Sequence, residues 1–207
     1  MHIRAERMPE LHRAAVRLTA PDAKARFQEV EKATGVPWFF VAVAAEREYG
    51  GPPHWDKQLG QGDPLNRVSW HVPRGMGPYF DHPNDPPLRD AWFRAAVDAL
   101  TNAAPRAALW HDWTPGGFAT IAEEYNGLGY ANRGVPSAYV WSGSDQYDRG
   151  KYVRDGVYDA TVRDVQEGVM PLVAAMMAID PTIKFASTAH ADMHQHFAYL
   201  GANALTA

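Results

Sequence analysis

Two glutamates, Glu46 and Glu48, stand where the apolar stretch WFFVAVAAEREY runs into GGPP. A further carboxylate, Asp63, and a hydroxyl, Ser69, follow in a segment rich in Gly, Pro and Asp. An acid at the end of a buried helix, beside a polar loop carrying a second acid, suits cleavage of a sugar chain. A glycosidic oxygen leaves poorly unless it is protonated as its bond breaks. One carboxyl must therefore hold its proton while the other stays ionised. The carbonyl end of a helix disfavours a carboxylate and so retains the proton, which is the shift a general acid needs near neutral pH.

The elements that must position these groups are legible. Pro37 opens a helix over residues 38–49 that is apolar nearly all the way round and must be buried on most sides. Val41, Ala44, Ala45 and Glu48 share one face, and Phe39, Ala42, Val43 and Glu46 share another. Periodicity alone does not choose between the two glutamates. The plainer account of the pair is that one is solvated and the other is matched by Arg47 or another base. Gly50, Gly51, Pro52 and Pro53 stop the helix. Turn signals at Gly60, Gly62 and Asp63-Pro64 then predict a small irregular β-hairpin region over 54–72, in which Asp63 has the plainer role of a turn former.

Around this core the pattern is mostly helical. Helices are expected over 9–19 and 23–34, with Gly35 as a stop, and both read as packing elements. Residues 73–86 read as loop. Asp85 would cap a helix with Pro86 and Pro87 in its first positions, reaching about 102. Thr114-Pro115 reads as N-cap and first residue of a helix with Phe118, Ile121, Ala122 and Tyr125 inward, ending at Asn126-Gly127. Residues 126–158 read as a long Gly-rich loop full of aromatic rings. Such rings suit stacking on sugars, or more plainly seal a small core. Within it, Asp155-Gly156 suits a tight hairpin turn. A helix is expected from 159 through Val162, Val165, Val169, Leu172, Val173 and Met176, with Pro171 a kink. The tail beyond Pro181 is weakly patterned. The expected class is α+β, mostly α-helical, as one domain over 1–207 with its core at about 21–178.

Composition narrows the function. The 207 residues are 46% hydrophobic and 21% charged, ordinary for a globular chain. A net charge of -4 argues against nucleic acid as partner. The absence of cysteine removes thiol catalysis and Cys-ligated zinc. No apolar signal segment or membrane-length run is visible, so a soluble protein without membrane insertion is expected. The HADMHQH cluster of His190, His194 and His196 lacks an H-E-x-x-H pattern and reads as incidental rather than as a metal site. No metal or organic cofactor is called for.

Three segments, GVPWFFVAVAAERE, QGDPLNRVSWHVPRG and EEYNGLGYANRGVPSAYVWSGSDQYDRGKYVRDGVYD, occur in an order that resembles the phage and bacterial lysozyme-family endolysins, muramidases of the lysozyme-like superfamily. The resemblance covers about residues 28–178. It implies a lysozyme-like fold and points to Glu48, the glutamate after Arg, as the acid. Related enzymes carry a Glu, Asp, Thr series with eight and then five intervening residues. Here Glu48, Asp63 and Ser69 have 14 and then 5, and Ser replaces Thr. Tyr49 stands where the family usually has a small hydroxyl residue. Tyr125-Asn126-x-x-Gly129 is similar to a motif of goose-type lysozymes and lytic transglycosylases.

What this implies is hydrolysis of the β-1,4 bond between N-acetylmuramic acid and N-acetylglucosamine in peptidoglycan. Glu48 would donate the proton. Asp63 would orient water with Ser69, and Tyr125, Asn126, Tyr130, Tyr139 and Trp141 would line the sugar subsites. The enzyme would act as a monomer on glycan strands, cytoplasmic until released to the wall in the periplasm. A lytic transglycosylase needs the glutamate but not the aspartate, and a wall-binding protein of the same fold needs neither.

Overall fold

The computed structural model describes residues 1–60, 62–71, 74–80, 88–103 and 112–187. They are mostly helical, with one two-stranded antiparallel sheet, an α+β composition. No described helix is long and apolar enough to cross a membrane. The chain gathers into two compact units, one of residues 16–111 and one of residues 1–15 with 112 onward.

The first helix, α1 (Met8–Thr19), runs from one unit into the other. The 16–111 unit is built on α2 (Pro21–Thr34), α3 (Trp38–Tyr49) and α4 (Arg89–Asp98), with α2 packed against both α3 and α4. Pro21 occupies the first turn of α2, and Gly35 ends it in the left-handed region at φ 75°. Every residue of α3 from Trp38 to Ala45 is buried, as its unbroken apolar run requires. Burial stops at Glu46, where the side chains turn polar. Gly50, at φ 85°, terminates the helix, its N–H reaching the Glu46 carbonyl at 2.9 Å while that of Gly51 reaches Ala45 at 3.1 Å. A short π-helical turn, Ala99–Ala103, extends α4. Trp92 meets buried Phe27 and half-buried Trp55 edge to face, with Trp55 and Trp92 centroids 4.9 Å apart, and Phe27 and Trp55 are tilted at 49°. The expected Asp85 cap lies outside the described residues.

Among the described residues of 54–71 the expected irregular hairpin is reduced to one isolated antiparallel bridge, Lys57 to Pro64, with Gln58 N–H to the Asp63 carbonyl at 2.7 Å and Leu65 N–H to that of Asp56 at 2.9 Å. Side chains extend this short ladder. Buried Gln58 donates its Nε2 to the carbonyls of Pro64 and Arg67, each at 3.0 Å. Gly and Pro are poor strand residues, and the backbone groups they leave over need such partners.

The other unit contains α5 (Pro115–Asn126), α6 (Gly129–Arg133), α7 (Ala138–Trp141), the strands β1 (Lys151–Arg154) and β2 (Val157–Asp159), and α8 (Val169–Ile179). Helices α5, α7 and α8 pack together. Thr114 caps α5 as its sequence predicts, its hydroxyl oxygen accepting from Gly117 N–H at 3.2 Å. Strands β1 and β2 pair with Tyr152 opposite Tyr158, turning at Asp155-Gly156 with Gly156 at φ 72°. The tight turn was legible; the rest of 126–158 was not. Two short helices, α6 and α7, occupy what reads as loop. Pro171 makes no kink, because the helix starts only at Val169 and proline is compatible with a first turn. Val165, expected on this helix, precedes it and is 76% exposed.

Candidate active site

The buried rod of α3 carries both glutamates to its carbonyl end, but their surroundings differ. Glu46 Oε1 accepts from Arg17 Nη2 at 2.7 Å, and its Oε2 is buried without a hydrogen-bond partner. Burial pushes the Glu46 carboxyl above the usual range, with the Arg17 charge opposing the shift. The Arg17 contact ties one oxygen of Glu46 inside its own unit. This matches the plainer role weighed above, a glutamate matched by a base, although the base is Arg17 and not Arg47.

A raised carboxyl favours the folded state in its protonated form. Its contribution is present in acid and is lost as pH rises through the folded value. Melting temperatures measured against pH should therefore show wild type gaining on Glu46→Gln as pH falls from neutral toward the ordinary glutamate range. The opposite slope would mean that the Arg17 attraction outweighs burial.

Glu48 is half-buried in the last turn of the helix. The polar segment comes directly against it. A Cβ added at Gly62 would lie 2.8 Å from the Glu48 carbonyl oxygen and 3.3 Å from Tyr49 Cβ, and Gly62 has φ 65°. Only glycine accommodates both the approach and the conformation. Tyr49, the residue that departs from the family pattern, is tied into the core. Its hydroxyl oxygen accepts from Trp92 Nε1 at 2.9 Å, and burial pushes the phenol well above its ordinary value.

Gly62→Ala is expected to cost about 1–3 kcal/mol through strain and backbone displacement. It should also lower any activity that depends on Glu48. Gly60→Ala, whose Cβ would make an ordinary 3.7 Å contact with Ala99, is the matched control, and urea melts of both check the difference.

The structure places the loop of Asp63 beside Glu48, but it does not leave the Asp63 carboxylate open to water as expected. Asp63 is 1% exposed. Its Oδ2 accepts from the N–H groups of Trp70 and His71 at 3.2 and 3.3 Å, and its Oδ1 lies 2.8 Å from His71 Nδ1. The aspartate folds the segment back on itself, the role of a turn residue drawn out over eight positions. Ser69 is likewise buried. Its Oγ accepts from Met76 N–H at 3.0 Å, closing the next turn.

Tyr125, Asn126, Tyr130, Tyr139 and Trp141 belong to the other unit. Tyr125 is half-buried and Asn126 exposed at the end of α5. Tyr130, Tyr139 and Trp141 are buried and serve as core, which corrects their expected place as sugar-facing rings. Their stretch folds into α6 and α7, which turn these rings inward. Tyr130 meets Tyr152 edge to face at 5.1 Å and its hydroxyl accepts from Tyr152 N–H.

Three features escaped the sequence. Glu123 is buried, accepts from Ala131 N–H at 3.2 Å within α6, and is raised by burial. His71 and Trp70 are exposed side chains of the Asp63 segment, and nothing in their spacing marks them. The HADMHQH cluster lies outside the described residues. No protein-family model matches the chain, and no curated protein or solved structure matches it.

Proposed function

We propose that the chain is a peptidoglycan-cleaving glycosidase of lysozyme-like fold, with Glu48 as the proton donor to the bridging oxygen between N-acetylmuramic acid and N-acetylglucosamine. One observation carries this. Glu48 is half-buried in the last turn of a helix whose preceding turns are wholly enclosed, against a polar segment built so closely on it that Gly62 tolerates no side chain. A carboxyl in the last turn of a helix, half-open to solvent beside a polar segment, is placed as a general acid must be. Glu46 is paired with Arg17 through one oxygen, and its other oxygen is buried. The three motif segments of the resemblance supply the substrate class.

The burial of Asp63 favours a second reading, a lytic transglycosylase, which cleaves the same bond without water and needs no exposed aspartate. Chloroform-permeabilised Gram-negative cells should clear when the wild-type protein is added. Mass analysis of the fragments then separates the two chemistries: a reducing end marks hydrolysis, and a 1,6-anhydro end marks transglycosylation. Binding of peptidoglycan without either product would overturn both.

A further inference from the structure

We propose that His71 takes the proton from the attacking water and that Asp63 is its positioning residue. The inference rests on the hydrolase reading above and assigns its missing base.

A carboxylate enclosed as Asp63 is, with both oxygens engaged by Trp70 and His71, presents no face to water. What it presents instead is His71, whose side chain is 46% exposed. An ionised carboxylate at Nδ1 selects the tautomer with its proton on that nitrogen. The lone pair then sits on Nε2, which has no partner among the described residues, and the same carboxylate stabilises the imidazolium that forms.

Two further features support the placement. Trp70 is 51% exposed, and its ring centroid is 5.6 Å from that of His71. An exposed indole beside a polar group offers a flat apolar face of the kind a sugar ring stacks on. The segment is also firmly built, by Asp63, by the two bonds of Gln58 and by the Ser69–Met76 turn, and it starts at Gly62 against the Glu48 carbonyl. A group held by such a frame is pre-set rather than recruited.

Water oxygen bonds to the anomeric carbon as the bond from that carbon to the bridging oxygen breaks. Glu48 gives its proton to the departing oxygen, and the proton lost by water goes to His71 Nε2. The anomeric centre inverts, and both side chains then exchange protons with solvent.

The test compares wild type, His71→Ala, His71→Gln, Asp63→Asn and the Asp63→Asn/His71→Ala double variant on purified peptidoglycan, scored by new reducing ends. Both His71 variants should lose about 10²–10⁴-fold in kcat with little change in KM. Azide, a nucleophile that needs no base, should restore bond cleavage to His71→Ala, read by mass analysis as a glycosyl azide because that product carries no reducing end. Asp63→Asn should fall comparably, and the double variant should fall no further than His71→Ala, because the two act as one unit. The proposal is overturned if His71→Ala and His71→Gln keep more than about a tenth of the wild-type rate, or if the wild-type product is the 1,6-anhydro sugar. Either result leaves Glu48 standing as the acid. A wild-type protein that cleaves nothing removes the acid and the base together.

Discussion

Glu48→Gln is expected to lower cleavage of peptidoglycan by about 10²–10⁴-fold, the usual share of a positioned general acid. The substitution keeps the size and polarity of the side chain but cannot release a proton to the departing oxygen. Because Glu48 lies at the half-buried end of α3 and not in the enclosed run from Trp38 to Ala45, the variant should fold as wild type does. Its thermal midpoint is the control. The loss should appear in kcat more than in KM, since the proton is needed in the transition state and not for binding. Glu46→Gln supplies the contrast. Its wild-type carboxylate is tied to Arg17, so the amide should leave turnover largely intact. If Glu46→Gln were the inactive variant and Glu48→Gln the active one, the assignment would be reversed. The cue from the resemblance would then have misled where periodicity stayed silent.

Trp92→Ala should give the largest loss of stability, about 3–5 kcal/mol for truncating a large buried ring. Trp92 is 1% exposed and meets Phe27 and Trp55 edge to face. Its indole N–H also holds the Tyr49 hydroxyl at the end of α3. Truncation removes that packing and leaves Tyr49 without its donor. Trp92→Phe separates the two effects, since it keeps most of the ring contact and loses the hydrogen bond, which alone is worth about 1 kcal/mol. Because Tyr49 follows Glu48, Trp92→Phe should also cost activity out of proportion to its stability loss. Urea melts combined with reducing-end release on the same preparations check both. Equal melts for Trp92→Ala and wild type would show that the aromatic cluster is not the core of this unit.

How much of this was legible in the residues can be seen element by element. The bounds of α3 followed from an uninterrupted apolar run closed by two glycines and two prolines, because local signals of that strength leave the backbone little choice. The Thr114 cap and the Asp155-Gly156 turn were equally local, each decided within four residues. The stretch after Tyr125 failed for the opposite reason. Its glycines suggest a loop, but α6 and α7 fold there, and their buried rings show that tertiary packing overrides weak helix propensity. The hairpin expected over 54–72 shrinks to one bridge because Gln58, Asp63 and Ser69 satisfy other backbone groups from their side chains, which no alternation pattern encodes.

The candidate site divides in the same way. That an acid would stand at the end of a buried helix was written in the order of residue types. That Glu46 is tied down depended on Arg17, 29 positions away. That Asp63 would be sealed and His71 left facing solvent depended on a segment doubling back over eight positions. Short-range pattern settles what lies within a turn or two of a residue. Partners and exposure are set by contacts between segments far apart in the chain, and those exist only once the core has formed.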